Sequence, residues 1–198
     1  MTDIAPARTS HRDALLREGL NQLFIHGYHG TTVDGLLDAT GVPKGSFYHH
    51  FGDKESFVVA VLQRYDRFHQ RLLEKWSSRE ELSTAEMMSG YFQDLVEHFV
   101  SSGFTHVDLI GKLATEIANG SESIRVILAE QLGRWRTTVE QILRDGQARG
   151  DVRTDRDVAE LSATINAYIE GAFVVAQSTR DERGLETVSA AIAESIAA

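Results

Sequence analysis

Apolar positions recur at three- and four-residue spacing along nearly the whole chain, with no run of alternating β-branched residues, so helices are predicted throughout and strands are not. The first helix runs from about Ser10 to His26, with Leu16, Leu20, Leu23 and Phe24 on one stripe and Gly27 as its stop. Thr31 or Thr32 caps a short second helix ending near Thr40, Gly41 turns the chain, and Pro43 opens a third short helix to Phe51. Asp53 caps a long fourth helix to about Trp76, carrying Phe57, Val61, Tyr65, Phe68 and Leu72 at helical spacing. The polar segment Ser77 to Ser83 is the predicted seam. Beyond it, helices are expected over about 84–100, 106–118, 122–149, 155–179 and 185–196, separated by Ser101-Ser102-Gly103, Asn119-Gly120, Gly150 and Gly184. The predicted fold is all-α with about nine helices. Residues 1–54 form one domain, the helix over 53–76 connects, and 77–198 form a second, larger domain.

Two short helices joined by a glycine turn, after a scaffold helix and before a long one, have the layout of a helix-turn-helix. At about 100° per residue from Lys44, Phe47 and Phe51 fall near 300° and 340° and define the inward face. His49, Gly45 and Ser46 then face outward, where a DNA major groove would lie. Lys44 and Tyr48 share a flank from which a cation and a phenol reach phosphate oxygens, and His50 lies on the other flank. Gly45 either relieves crowding or lets the helix backbone approach a base edge. Thr32, at a helix N-terminus, can cap it and also hold a phosphate. Lys54 sits in the first turn of the fourth helix with its charge opposed to the dipole, a cost that a phosphate would offset.

The stretch Gly27-Tyr28-His29-Gly30-Thr31-Thr32-Val33, then Gly41-Val42-Pro43-Lys44-Gly45-Ser46-Phe47-Tyr48-His49-His50-Phe51, then Asp53-Lys54-Glu55, resembles the TetR family of regulators over about residues 10–57. The resemblance implies a homodimeric repressor that binds double-stranded operator DNA, with a helical C-terminal domain for dimerisation and for a small-molecule effector. It also implies DNA-backbone contacts at the positions of Thr32, Lys44, Tyr48 and Lys54. Gly35 departs from the family's usual polar or acidic residue and weakens the second helix by about 1 kcal/mol relative to alanine. A shorter piece, Gly111-Lys112-Leu113-Ala114-Thr115-Glu116, is similar to a helix-six motif of one subgroup, some of whose members sense electrophiles through a cysteine. This chain has no cysteine, so that chemistry does not carry over.

The formal charge of −9 looks wrong for a nucleic-acid partner, but residues 1–54 carry only −1 of it and Ala39 to Gly52 hold no acid. Apolar residues at 42% and charged residues at 25% exclude a mainly disordered chain. The longest unbroken apolar run, Ala172 to Ala176, is far below the roughly 18 residues of a membrane span, and Met1 to Arg12 lack the apolar core of a signal peptide. A cytoplasmic protein without membrane contact is expected. His49 with His50, and His26 with His29, lack a cysteine or clustered carboxylate to complete a metal site, so neither a metal nor another cofactor is expected. No catalytic Ser/His/Asp order, phosphate loop or paired acid stands out, which disfavours an enzyme.

In the C-terminal half, the helix from Leu161 to Thr179 carries one formal charge, Glu170, and the last helix is similarly apolar, so a two-fold bundle of helices eight and nine is expected to bury them. Asn166, Glu170, Phe173 and Gln177 share a face that either lines a ligand cavity or bonds within the dimer bundle. Tyr91, Phe92, Phe99, Phe104 and Trp135 serve either as core or as pocket wall, and His98 and His106 are further pocket candidates. The ligand set read from the sequence is Phe92, His98, His106, Trp135, Asn166, Glu170 and Phe173. A buried Glu170 needs a partner, and His98, His106 or a cationic group on a ligand are the candidates. Lys112 and Glu116 are expected to form an ordinary surface pair. The rival reading is a DNA-binding regulator with no small-molecule ligand, its C-terminal half serving only dimerisation or a protein partner.

Replacing Lys44 by alanine should weaken binding to all DNA sequences alike and flatten the dependence of affinity on salt by about one phosphate contact. His49→Ala should instead change base preference at one position per half-site, by about 1–3 kcal/mol. Binding isotherms on specific and random duplexes at several salt concentrations separate the two roles.

Overall fold

The computed structural model describes residues 10–106 and 108–198, which form nine α-helices and no strand. Residues 1–9, where no signal peptide is expected, and Val107 lie outside the described residues. The helices are α1 (His11–Gly30), α2 (Val33–Thr40), α3 (Lys44–Phe51), α4 (Lys54–Ser77), α5 (Thr84–Ser101), α6 (Leu109–Ile117), α7 (Glu122–Arg149), α8 (Val158–Thr179) and α9 (Arg183–Ile196). Most start where a short polar side chain can accept a backbone N–H: Ser10, Thr32, Asp53, Ser83, Asp108, Ser121 and Asp157 all do so. Ser83 and Glu86 form a reciprocal capping box. Helix α6 starts three residues later than the apolar pattern implied, because Asp108 caps it by accepting from the Gly111 N–H.

Buried side chains form two clusters that divide along a different line from the polar seam at 77–83. One joins α1–α3 and the first half of α4 (Leu15, Leu23, Phe47, Phe57, Val61) to α6 and the start of α7 (Leu109, Leu113, Ile124, Leu128). The other packs the end of α4 with α5, the rest of α7, α8 and α9 around Phe92, Phe99, Trp135, Leu143, Ile165 and Ile192. Helix α4 contributes to both and lies along α7.

The stop predicted at Gly27 is present, but the chain resumes a final turn to Gly30 beyond it. Gly27 has φ of +68°, a left-handed conformation that side chains other than glycine rarely adopt. The break leaves backbone groups without helical partners, and α6 supplies them. Glu116 accepts from the N–H groups of Tyr28 at 2.9 Å and His29 at 2.8 Å, while Lys112 Nζ donates to the carbonyl of Phe24. The expected surface pair of Lys112 and Glu116 is therefore corrected: each reaches outward to α1, because charge-assisted bonds to orphaned backbone groups are stronger than an exposed ion pair.

Helix α8 meets the length and composition of a membrane span, contrary to the reading from unbroken apolar runs. Its alanines and scattered polar residues break the runs without lowering the average enough to exclude it. In the fold it packs on α7 and α9 and leaves Tyr168, Val174 and Val175 exposed at 39%, 58% and 62%.

Gly27→Ala should destabilise the protein by about 1–3 kcal/mol, since it forces a Cβ into a positive-φ site and sets it 2.2 Å from a Glu116 carboxylate oxygen. Urea unfolding checks this, and an unchanged midpoint would show the kink to be unconstrained.

Candidate nucleic-acid interface and buried cavity

Helix α3 is anchored by Phe47 and Phe51, whose rings lie 5.2 and 4.9 Å from Phe57 of α4. Anchoring that face leaves Lys44, Gly45, Tyr48 and His49 exposed on the other side. A Cβ built on Gly45 meets nothing within 4 Å, so no crowding inside the protein calls for glycine there. Tyr48 is 44% exposed although its ring touches Phe47. Lys44 makes an exposed ion pair with Asp34 of α2 at 3.2 Å, an interaction too weak to hold it against a phosphate. Thr32 is exposed and accepts from the Gly35 N–H at 3.1 Å. Gly35 fits this cap, since a Cβ there would lie 3.0 Å from the Thr32 hydroxyl.

Two residues assigned to DNA contact are placed differently. The Ser46 hydroxyl is half-buried and bonded to His11 of α1 at 3.2 Å, so it faces the scaffold helix and not outward. Lys54 Nζ donates to the Tyr28 carbonyl at 2.7 Å and sits 4.3 Å from the centre of the Tyr28 ring. The carbonyl and ring offset its position at the helix N-terminus, and burial lowers its pKa.

A cavity of about 70 Å³ lies where the two clusters meet. Of the ligand set read from the sequence, His98, His106, Trp135, Asn166, Glu170 and Phe173 line it. Phe92 does not: it is fully buried behind Phe173, 5.7 Å away, and belongs to the core. Asn166, Glu170 and Phe173 thus face the cavity side of α8, away from the exposed Val174 and Val175.

The lining also holds Tyr91, read from the sequence as either core or pocket wall, and groups the sequence reading did not assign: Asp108, Tyr65, His69 and Gln131. Glu170 is paired neither with His98 nor with His106 but with the Asp108 carboxyl, so a paired acid does exist, 62 positions apart in the chain. Burial, then the neighbouring Asp108 charge and the hydrogen bond between them, push Glu170 up to about 8. Burial also raises Asp108, and both shifts favour a proton kept on the pair. Tyr65 donates to Asp108 at 3.2 Å. Tyr91 accepts from the Trp135 indole at 3.0 Å and meets His69 Nδ1 at 3.0 Å. Burial, and then His98, lower His69 to about 4 and keep it neutral. His106 stacks on Phe24 of α1 with ring centres 4.5 Å apart. The capping pattern of Asp108 ahead of the apolar Leu109-Ile110 is the one local signal that marks Asp108; its pairing with Glu170 has none.

A carboxyl whose folded-state pKa is raised contributes stability below its ordinary value of 4.5 and loses it as pH climbs towards about 8. Glu170→Gln should therefore melt close to the parent protein at about pH 5 and above it by a margin that grows up to about pH 8. A margin independent of pH would show that no shared proton is present.

Comparison with known proteins bears on both sites. The profile described as "Bacterial regulatory proteins, tetR family" matches residues 15–61, and that described as "Tetracyclin repressor-like, C-terminal domain" matches residues 91–192. The transcriptional regulator AcuR of Cereibacter sphaeroides is 31% identical over 173 residues, covering 87% of this chain and 79% of its own length. The transcriptional repressor NemR of Escherichia coli is 30% identical, covering 94% of both chains. A crystal structure of a regulatory protein TetR from Rhodobacter sphaeroides superposes with a TM-score of 0.86 at 29% identity, covering 92% of this chain and 97% of that one. These relatives are transcriptional regulators and not enzymes; the first profile contains the α3 surface, and the second contains the cavity residues contributed by α5 to α8. The chain belongs to the TetR family and is a DNA-binding transcriptional regulator.

Proposed function

We propose that this regulator is a repressor released from its operator by a small molecule bound in the cavity between α4, α5, α6, α7 and α8. The observation that carries the reading is the double role of α6. Its N-terminal cap, Asp108, is part of the cavity wall, and about one and two turns later Lys112 and Glu116 hold the break in α1 beside the helix-turn-helix. A ligand that moves Asp108 moves the cap of a nine-residue helix, and a packed helix shifts as a unit. His106, stacked on Phe24, gives the cavity a second contact with α1.

The DNA-facing set is Thr32, Lys44, Gly45, Tyr48 and His49, with Ser46 and Lys54 positioning α3 and α4 from within. Open space at Gly45 supports close approach to base edges. The regulator acts as a homodimer through α8 and α9, which supplies two recognition helices for half-sites about one DNA turn apart. In support, the apolar groove between these helices, lined by Tyr168, Ala172, Val175, Leu185 and Val188, lacks a cover within one protomer.

The test is a screen for compounds that raise the melting temperature, followed by fluorescence anisotropy on a DNA fragment the protein selects from genomic sequence. Stabilising compounds should weaken DNA binding at least about tenfold, a coupling in the usual range. In Glu116→Ala the melting shift should persist while most of the release is lost. If every stabilising compound leaves DNA affinity unchanged, the regulator works without a small-molecule signal.

A further inference from the structure

We infer that the effector of this cavity is a small organic monocation, its ammonium or amidinium group seated against the facing carboxyls of Asp108 and Glu170. The inference rests on the effector reading above and names the chemistry that reading leaves open.

The two carboxyls converge on one point. A methyl group built on Gly111 would lie 2.8 Å from Glu170 Oε2 and 3.0 Å from Asp108 Oδ2. Among the described lining residues there is no lysine or arginine. Lys112 of α6 is turned away to α1. Asp66, on α4 at the cavity edge, is already paired with Arg134 at 2.9 Å. The other titratable groups of the lining are His98, His69 and His106, with burial lowering the last two, and Tyr65 and Tyr91, which burial raises. An anion would meet two converging carboxyls with no lysine or arginine beside them in the described lining, whereas a cation meets its complement.

An independent feature points to a ligand. Gln131 of α7 is fully buried in the cavity wall, yet neither its amide oxygen nor its amide nitrogen has a partner, and the buried His69 Nε2 has none either. Buried polar groups are nearly always bonded, so these are groups kept for something that arrives. The Gln131 oxygen can accept an ammonium N–H beside the carboxylates. The rings of Phe68, Trp135 and Phe173 suit an organic cation, whose alkyl part they cover and whose charge their faces attract. A cavity of about 70 Å³ has room for roughly five heavy atoms at the volume one water needs.

Binding is a proton exchange. The pair starts with one proton between two carboxyls; the monocation enters, both carboxyls become ionised, and the proton leaves to solvent. Affinity should therefore rise with pH, by up to about tenfold per unit, and level off towards about pH 8, where Glu170 titrates. Protonation of His69 or His106 at the acid end works in the same direction.

The experiment uses three C4 probes of similar size, n-butylammonium, butyramide and butyrate, on the full chain. Butylammonium at millimolar concentration should raise the melting temperature, and calorimetry in buffers of different ionisation enthalpy should show release of one proton. Glu170→Gln and Asp108→Asn should each weaken its binding at least about tenfold. Asparagine caps helices as well as aspartate does, so the second variant retains the start of α6. Stabilisation by butyrate or butyramide equal to that by butylammonium would overturn the assignment. So would an unchanged response in both variants, or no response to any probe. Operator release is read in parallel: a neutral or anionic compound that binds and frees DNA sinks the cation and leaves the effector reading standing.

Discussion

Helix α1 breaks at the buried Gly27, and the backbone groups that the break frees must be satisfied from elsewhere. Water cannot serve a partly buried helix end fully, and an unpaired buried amide or carbonyl costs about 1–3 kcal/mol. Glu116 and Lys112 of α6 meet that demand from the cavity side, and the Thr31 hydroxyl and Lys54 ammonium meet it from the side of the helix-turn-helix, bonding the carbonyls of Gly27 and Tyr28 at 2.7 Å each. With α6 held by one end in this way, its other end places Asp108 against Tyr65 and Glu170. The position of the cavity thus follows from how α1 terminates.

Packing reinforces that polar chain. The cluster under the helix-turn-helix contains Leu109, Leu113 and Ile117 of α6, so the recognition unit is built partly on a helix far away in sequence. Helix α4 is shared: Phe57 and Val61 belong to the first cluster and Leu73 to the second. The cavity lies where these clusters meet, between bodies that are each densely packed. Dense interiors deform in discrete steps, so a ligand at the junction changes the relation of the two bodies more readily than the inside of either.

Stability alone would not select this cavity. Two facing carboxyls, a buried glutamine without partners and a histidine held neutral all oppose folding relative to an apolar filling of the same volume. Under the proposed function the hollow is kept for recognition, at the expense of a better core.

The order and type of the helices, the helix-turn-helix and the exposed face of α3 were legible from the sequence because they rest on local rules: periodicity, caps, and the angle between residues on one helix. Thr32, Asp53 and Ser121 cap as their residue types dictate, and Phe47 and Phe51 face inward as their spacing requires. Burial of Glu170 was legible too, from a lone charge in an apolar helix. Its partner was not, because Asp108 approaches from a different element and only the packing of α6 on α8 brings the carboxyls together. For the same reason Lys112 and Glu116 read as a surface pair, Lys54 as a phosphate contact, Ser46 as a groove contact and Phe92 as pocket wall. Each has a local position that permits the first reading, and each is redirected by a group distant in the chain: the α1 carbonyls and amides, Tyr28, His11 and Phe173. Sequence determines which face a side chain occupies on its own helix; tertiary structure decides what meets it there, since hydrogen bonds and close packing act over a few ångströms between residues that periodicity cannot relate.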